Sequence, residues 1–267
     1  MASILSYPLQ KDFNSQETFQ VFFFPEGSLN VVTHKPLADE SLQLLVRFAR
    51  VFGLIYRRFL DLKQAEAQAR EALIEAALER VRSRAMAMQK SQDLADAVAV
   101  VFDELNKLNT GMLRCGIAIM DFDRPRADIW IITKSEEGNQ VQVTGDESLD
   151  INPLLLNAYN AWRKQEDYFH VLEGDELVSY YQSLTNMDFQ SPILSTFHPD
   201  ENDQHQYYFN TVFQHGSLFA FMNTAITDET KMVMKRFASV FGLTYKRFLD
   251  LQKAEAQARE AQIEAAL

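Results

Sequence analysis

Residues 58–78, RFLDLKQAEAQAREALIEAAL, return as residues 247–267, RFLDLQKAEAQAREAQIEAAL, changed only at Lys63, Gln64 and Leu73. The offset is 189 residues, and it holds upstream without a gap. It places Gly27 on Gly216, Phe48 on Phe237 and Phe52 on Phe241. Such self-similarity means one structural unit used twice. The period is too long for a solenoid and implies domains in tandem. Residues 79–267 form one full period, while residues 1–78 match only its last part. The expected picture is a piece of a longer tandem protein, in which the first copy lacks its beginning and the second stops inside its exit helix. A cut at residue 79 is then expected to leave the complete copy folded.

Composition narrows the function classes. Twenty phenylalanines supply ample core material for a chain of 267 residues. The net charge of −11 argues against a nucleic-acid binder, which needs a positive field to neutralise phosphates. Cys115 is the single cysteine, so neither an intrachain disulfide nor a multi-cysteine zinc site can form. That fits a reducing cytoplasm. The first residues, MASILSYPLQKDFNSQ, lack the basic-then-apolar pattern of a secretion signal. No apolar run reaches the ~18–20 residues needed to cross a bilayer.

Within the complete copy, Ser91 is a candidate cap for a helix whose apolar face carries Leu94, Val98, Val101 and Leu105. Gly111 suits its end. Residues 113–122 and 129–133 read as strands joined by DRPRAD, and residues 136–140 as a turn into a third strand at 141–144. Asn152 and Pro153 read as a helix cap and first turn. A short strand at 168–172, a helix over GDELVSYYQSL, and a hairpin turning at Gly216 follow. Asp228 and Glu229 then open a long helix. The fold class is α+β: an antiparallel sheet of about six strands flanked by helices, with long connecting helices. The chain divides into residues 1–38, the last hairpin of the first copy; 39–90, a long coiled-coil-like helix; 91–227, the complete domain; and 228–267, the exit helix. Two strands alone are marginal in water, so residues 1–36 are expected to pack on helices or a partner chain.

The long helix carries Phe48, Phe52, Ile55, Phe59 and Leu62 at heptad spacing, and the spacing resumes at Ile74, Leu78 and Val81. The second set is about one residue out of phase, so the stripe shifts across the alanine-rich stretch. Gly53 is the one breaker before Met88 and costs roughly 1 kcal/mol against alanine. About 50 helical residues span ~75 Å, more than one small domain can bury. These eight residues are therefore the expected seam of a homodimer. The helix is then either a rigid spacer or a carrier of signals.

The element order over residues 92–250, with the connector at residues 65–97, resembles tandem GAF-like sensor domains of bacterial signalling proteins. The connector is similar to segments that join such domains to one another or to histidine kinase or nucleotide cyclase output domains. The resemblance implies a small-molecule pocket between sheet and helices, and dimerisation through flanking helices. The cyclic-nucleotide signature of some members has no counterpart here, and Cys115 does not stand where a bilin-attaching cysteine would. The ligand class, and hence any cofactor, stays open.

The aromatic set Trp162, Tyr168, His170, Tyr180 and Tyr181 falls where the resemblance puts a pocket wall, and these are the candidate ligand-binding residues; core packing is the competing reading. No phosphoacceptor histidine lies on the long helices, and no Gly-x-Gly occurs. His198 and His205 flank Asp200, Glu201 and Asp203 without metal-site spacing, so no metal site is expected. Asp121 and Asp123 read as a turn, and Cys115 as an inert core thiol. Arg80, Arg82, Arg84 and Lys90 read as a solvated helix face. No nucleophile, base or metal set converges, so the chain is not expected to be an enzyme. A non-catalytic regulatory module with its output domain elsewhere, and a structural dimerisation spacer without ligand, are the two expectations.

Overall fold

The computed structural model of the chain describes residues 4–9, 17–89, 93–134, 140–184 and 205–266. The chain forms two compact units, Met1–Ala72 and Leu73–Leu267. The Ser91 cap, Lys90, residues 136–139 of the turn expected at 136–140, and the loop residues His198, Asp200, Glu201 and Asp203 lie outside the described residues.

The first unit holds three strands, β1 (Ile4–Leu9), β2 (Glu17–Phe24) and β3 (Gly27–Thr33), and most of helix α1 (Asp39–Met86). The strands form an antiparallel sheet in the order β1-β2-β3. The expected two-stranded hairpin is thus extended by a third strand, which contains Pro8 and lies at the sheet edge, where a missing N–H is tolerated. The hairpin also packs on α1. Phe22 and Ala49 are buried, and the Phe24 ring meets that of Phe52 edge-on at 5.4 Å.

The second unit contains α2 (Asp93–Lys107), β4 (Met112–Met120), β5 (Arg126–Lys134), β6 (Gln140–Ser148), α3 (Pro153–Arg163), β7 (Tyr168–Glu173), α4 (Gly174–Leu184), β8 (His205–Phe213), β9 (Gly216–Met222) and α5 (Asp228–Ala266). Its six strands pair antiparallel in the order β6-β5-β4-β9-β8-β7. With the five helices this is an α+β architecture. Strand residues alternate between two cores, as the two-residue period of a pleated strand requires. Cys115, Ile117, Leu218 and Ala220 face a layer made by α2, α5 and the C-terminal part of α1. Ala118, Met120, Phe219 and Phe221 face α3 and α4.

Local chemistry sets the element ends. Asn152 Oδ1 accepts from the Leu154 N–H at 2.9 Å and Pro153 occupies the first turn of α3, as expected from sequence. The Asp121 carboxylate accepts from the N–H groups of Asp123 and Arg124, closing the turn between β4 and β5. These bonds, the Asp123 N–H foremost, hold its pKa below the usual carboxylate value. Gly111 has φ +69 beyond the end of α2.

Gly53 has a cause in packing. A Cβ there would lie 2.9 Å from Phe24 Cβ, and at its repeat counterpart Gly242 it would lie 2.6 Å from Phe213 Cβ. In each unit, the helical glycine seats a phenylalanine from the end of the first strand of the hairpin that precedes the helix, Phe24 or Phe213. The helix-propensity cost is therefore offset by a contact that alanine would disrupt.

Helix α1 enters the second unit as one arm of an antiparallel helical hairpin. Arg84 pairs with Asp96, and Arg80 Nη2 lies 2.6 Å from Glu104 Oε2, so rising numbers on one helix meet falling numbers on the other. Burial alone would raise the Glu104 pKa, but hydrogen bonds from Arg80 and Lys107 outweigh it and hold the carboxyl below its ordinary value. Arg236 on α5 bonds Glu75 on α1 at 2.6 Å. Between these ion pairs, Ile74, Ala77, Leu78, Val81 and Ala85 are buried among α2 and α5. Ile74, Leu78 and Val81, expected on a dimer seam, thus have their apolar character accounted for within one chain. Phe48, Phe52, Ile55, Phe59 and Leu62 are exposed. Among the described residues, no helix is long and apolar enough to cross a membrane.

Candidate functional site

The face of the second sheet that carries α3 and α4 encloses a cavity of about 30 Å3. Met120, Ile131, Tyr208, Phe219 and Phe221 rise from the strands, and Tyr180 and Leu184 close it from α4. Along β4, β5 and β9 the lining residues are every second one, Ala118 and Met120, Ile129 and Ile131, and Ser217, Phe219 and Phe221, so the pleat aims them at one side. Ser217 Oγ also lines this space and has no hydrogen-bond partner among the described residues. The volume suits a water molecule or two, well short of the roughly 300 Å3 at which small-molecule pockets begin.

A buried arginine stands beside the cavity. The Arg114 guanidinium lies 3.8 Å from the Phe221 ring centre, 5.2 Å from that of Tyr181 and 5.5 Å from that of Tyr180. Cations over aromatic faces at such distances are attracted by the ring quadrupole. Arg114 Nη1 donates to the Tyr181 hydroxyl at 3.2 Å, and that hydroxyl donates to Gln206 Oε1 at 3.0 Å. A polar relay therefore runs from β4 through α4 to β8 behind the apolar wall. Asn210, also fully buried on β8, has both amide atoms without a partner among the described residues.

Of the five aromatic residues expected to form a pocket wall, Tyr180 lines the cavity and Tyr181 belongs to the adjoining relay. Trp162 is core: its indole N–H donates to the Phe213 carbonyl at 3.2 Å, and its ring packs on Phe122 and Tyr159. Tyr168 stacks on His170 and meets Tyr208 edge-on. His170 is partly exposed and bonds Glu176 at 2.7 Å. Sequence reasoning missed Arg114, Tyr208 and Ser217. The available signal for Arg114 was a lone charge inside the apolar run LRCGIAIM.

No family model matches the chain, and no curated protein matches its sequence.

The chemical capacity of the site follows from its groups. Burial pushes the Tyr180 phenol up to about 12, with Arg114 opposing, and raises Tyr208 well above its ordinary value. Both hydroxyls stay protonated near neutrality and are not poised as bases, and the Tyr180 hydroxyl accepts from Arg114. Burial likewise pushes the Cys115 thiol far up, on the other sheet face, so it is not a nucleophile. Among the described residues, no group of three or more His, Cys, Asp or Glu side chains lies together to hold a metal ion. A groove of about 560 Å3 in the first unit, along Phe23–Glu26 and Arg50–Arg57, has an exposed ion pair between Arg57 and Glu26.

The Tyr180 shift makes a testable pH dependence. The unfolded phenol loses its proton near pH 10 and the folded one near 12. Between these values the folded state binds more protons, so stability falls as pH rises. Tyr180→Phe removes this contribution. Urea unfolding at pH 9 and pH 11.5 is expected to show a smaller loss for the variant, by about 2 kcal/mol.

Proposed function

We propose that this chain is a non-catalytic regulatory module of a signal-transduction protein, built of GAF-like sensor domains in tandem. It relays the state of its complete domain through a dimeric helix to a kinase or cyclase output domain outside these residues. The observation that carries the reading is the incorporation of both flanking helices into one core. The C-terminal part of α1 and the N-terminal part of α5 lie in the core on one sheet face, tied by Glu75 and Arg236, while the Arg114 cavity occupies the other face. A small molecule that spreads α4 from the sheet would alter strand packing that both helices feel. Such a ligand acts by favouring one of two packings.

The dimer contact in this reading lies on helix positions that the complete fold leaves apolar and exposed. Leu243 and Leu251 on α5 are exposed, as are their repeat counterparts Leu54 and Leu62 on α1. Leucine occupies an uncovered position twice over in each copy, which fits a surface between copies of the chain.

One observation favours the second reading, a structural dimerisation module without ligand: the cavity has room for water only. Native followed by denaturing mass spectrometry separates the two. The regulatory reading expects a dimer carrying a small mass that is released on denaturation. A dimer without added mass would transfer the assignment to the structural module. A monomer would overturn both.

A further inference from the structure

The repeat lets each residue of the first unit be compared with its counterpart 189 positions on. β3 corresponds to β9, and the N-terminal part of α1 to that of α5. Sequence and local geometry agree, but burial does not. Phe48 is 59% exposed where Phe237 is 0%, Phe52 is 55% where Phe241 is 1%, and Phe59 is 47% where Phe248 is 6%. β9 is buried at every residue, and β3 at none.

The second unit shows what covers these positions. β9 pairs with β4 on the edge away from β8, from Met112 opposite Met222 to Ile119 opposite Gly216. Ile74, Leu78 and Val81 of α1 and Leu94, Val98 and Val101 of α2 share the core with Phe237, Phe241 and Phe248. Among the described residues, β3 pairs with β2 alone.

Two further residues of the first unit are suited to a cover of this kind. Gly216 has no positive φ; it is glycine because a Cβ there would run into the Ala118 carbonyl oxygen on β4. Gly27 has no positive φ either, and a Cβ there would touch only the far end of the Phe24 ring, at 3.2 Å. The first unit thus keeps the clearance that an added strand needs. Arg47 is exposed, and its counterpart Arg236 bonds Glu75 of the covering helix. The first unit thus keeps the cation that an acidic residue on a covering helix would meet.

We infer that β3 and the N-terminal half of α1 form a docking surface for a polypeptide segment built like residues 74–120. That partner is an amphipathic helical hairpin, acidic at the position of Glu75, running into an apolar strand. It adds its strand to the free edge of β3 and lays its helices over Phe48, Phe52 and Phe59, combining strand addition with helix-in-groove docking. A second copy of this chain does not fit the description, because its own residues 74–120 are already enclosed in its second unit. The inference stands on the repeat and does not depend on the regulatory reading.

The test joins a second copy of residues 73–189 to Met1 of the full chain, which keeps the 189-residue register and includes the counterparts of Ile74, Glu75, Ala77 and Leu78. Hydrogen exchange is then compared with that of the parent chain. Protection of amides in Gly27–Thr33 and in residues 48–59 is expected to rise by at least about tenfold. Unchanged exchange in both stretches overturns the inference. A second measurement uses Phe52→Glu in the parent chain. Its oligomeric state by sedimentation is expected to equal the parent's; conversion of a parent dimer to monomer would show that a second copy covers the face, and would also overturn the inference.

Discussion

Val81→Asp is expected to unfold the second unit, whereas Leu251→Asp is expected to leave it folded and lose only self-association. Both residues lie on long helices at apolar heptad-like positions, so sequence alone treats them alike. Val81 is fully buried between α2 and α5, and Leu251 is exposed. A carboxylate at Val81 would have to be buried unpaired or stay protonated, and the helical hairpin would open to hydrate it. The expected loss is about 4–5 kcal/mol or more, a large part of the roughly 5–15 kcal/mol that holds a domain together. At Leu251 the carboxylate meets water, and stability should change by about 0.5 kcal/mol or less. Thermal melts followed by circular dichroism, with sedimentation on the same samples, read both effects. A Val81→Asp protein that melts like the parent but sediments at half its mass would place the dimer seam at Val81 after all.

The contrast shows why part of this molecule was legible from sequence and part was not. Elements whose ends are set by local chemistry were readable: the Asn152–Pro153 start of α3, the Asp121 turn, the hairpin at Gly216 and the acidic start of α5. Each depends on one or two residues and their own backbone. The role of the α1 stripes was not readable. Apolar spacing of three and four residues serves equally for a seam between chains and for a helical hairpin within one. Only tertiary packing separates buried Ile74, Leu78 and Val81 from exposed Phe48, Phe52 and Phe59. Gly53 looked like a pure helix cost because the Phe24 that it seats lies on another element. In the site, Tyr180 and Tyr181 could be found as adjacent aromatics on a short helix. Ser217 and Phe219 could not be assigned to a face, because β9 is apolar on both sides and its alternation leaves no trace in composition.

A fragment of residues 73–267 is expected to unfold as one cooperative unit, and one of residues 79–267 to be far less stable or unfolded. The repeat places the start of a full period at residue 79, because matching counts positions, while folding counts contacts. Residues 73–78 repeat at the chain end as residues 262–267, yet Ile74, Ala77 and Leu78 are buried in the second unit's core. Removing them exposes the faces of α2 and α5 that they cover and takes away Glu75, the partner of Arg236. Burial of a leucine or isoleucine side chain contributes about 1.5–3 kcal/mol, so two of them with Ala77 amount to about 4–6 kcal/mol. The exposed Glu75–Arg236 pair adds about 1 kcal/mol at most. That sum approaches the whole stability of a typical domain, so the shorter fragment should show a broad, low-amplitude melt. Residues before 73 supply none of the buried positions of this core, and their loss should matter little to it. Equal melting of the two fragments would mean that the C-terminal part of α1 is no part of the domain, and would remove the structural basis for relay through that helix.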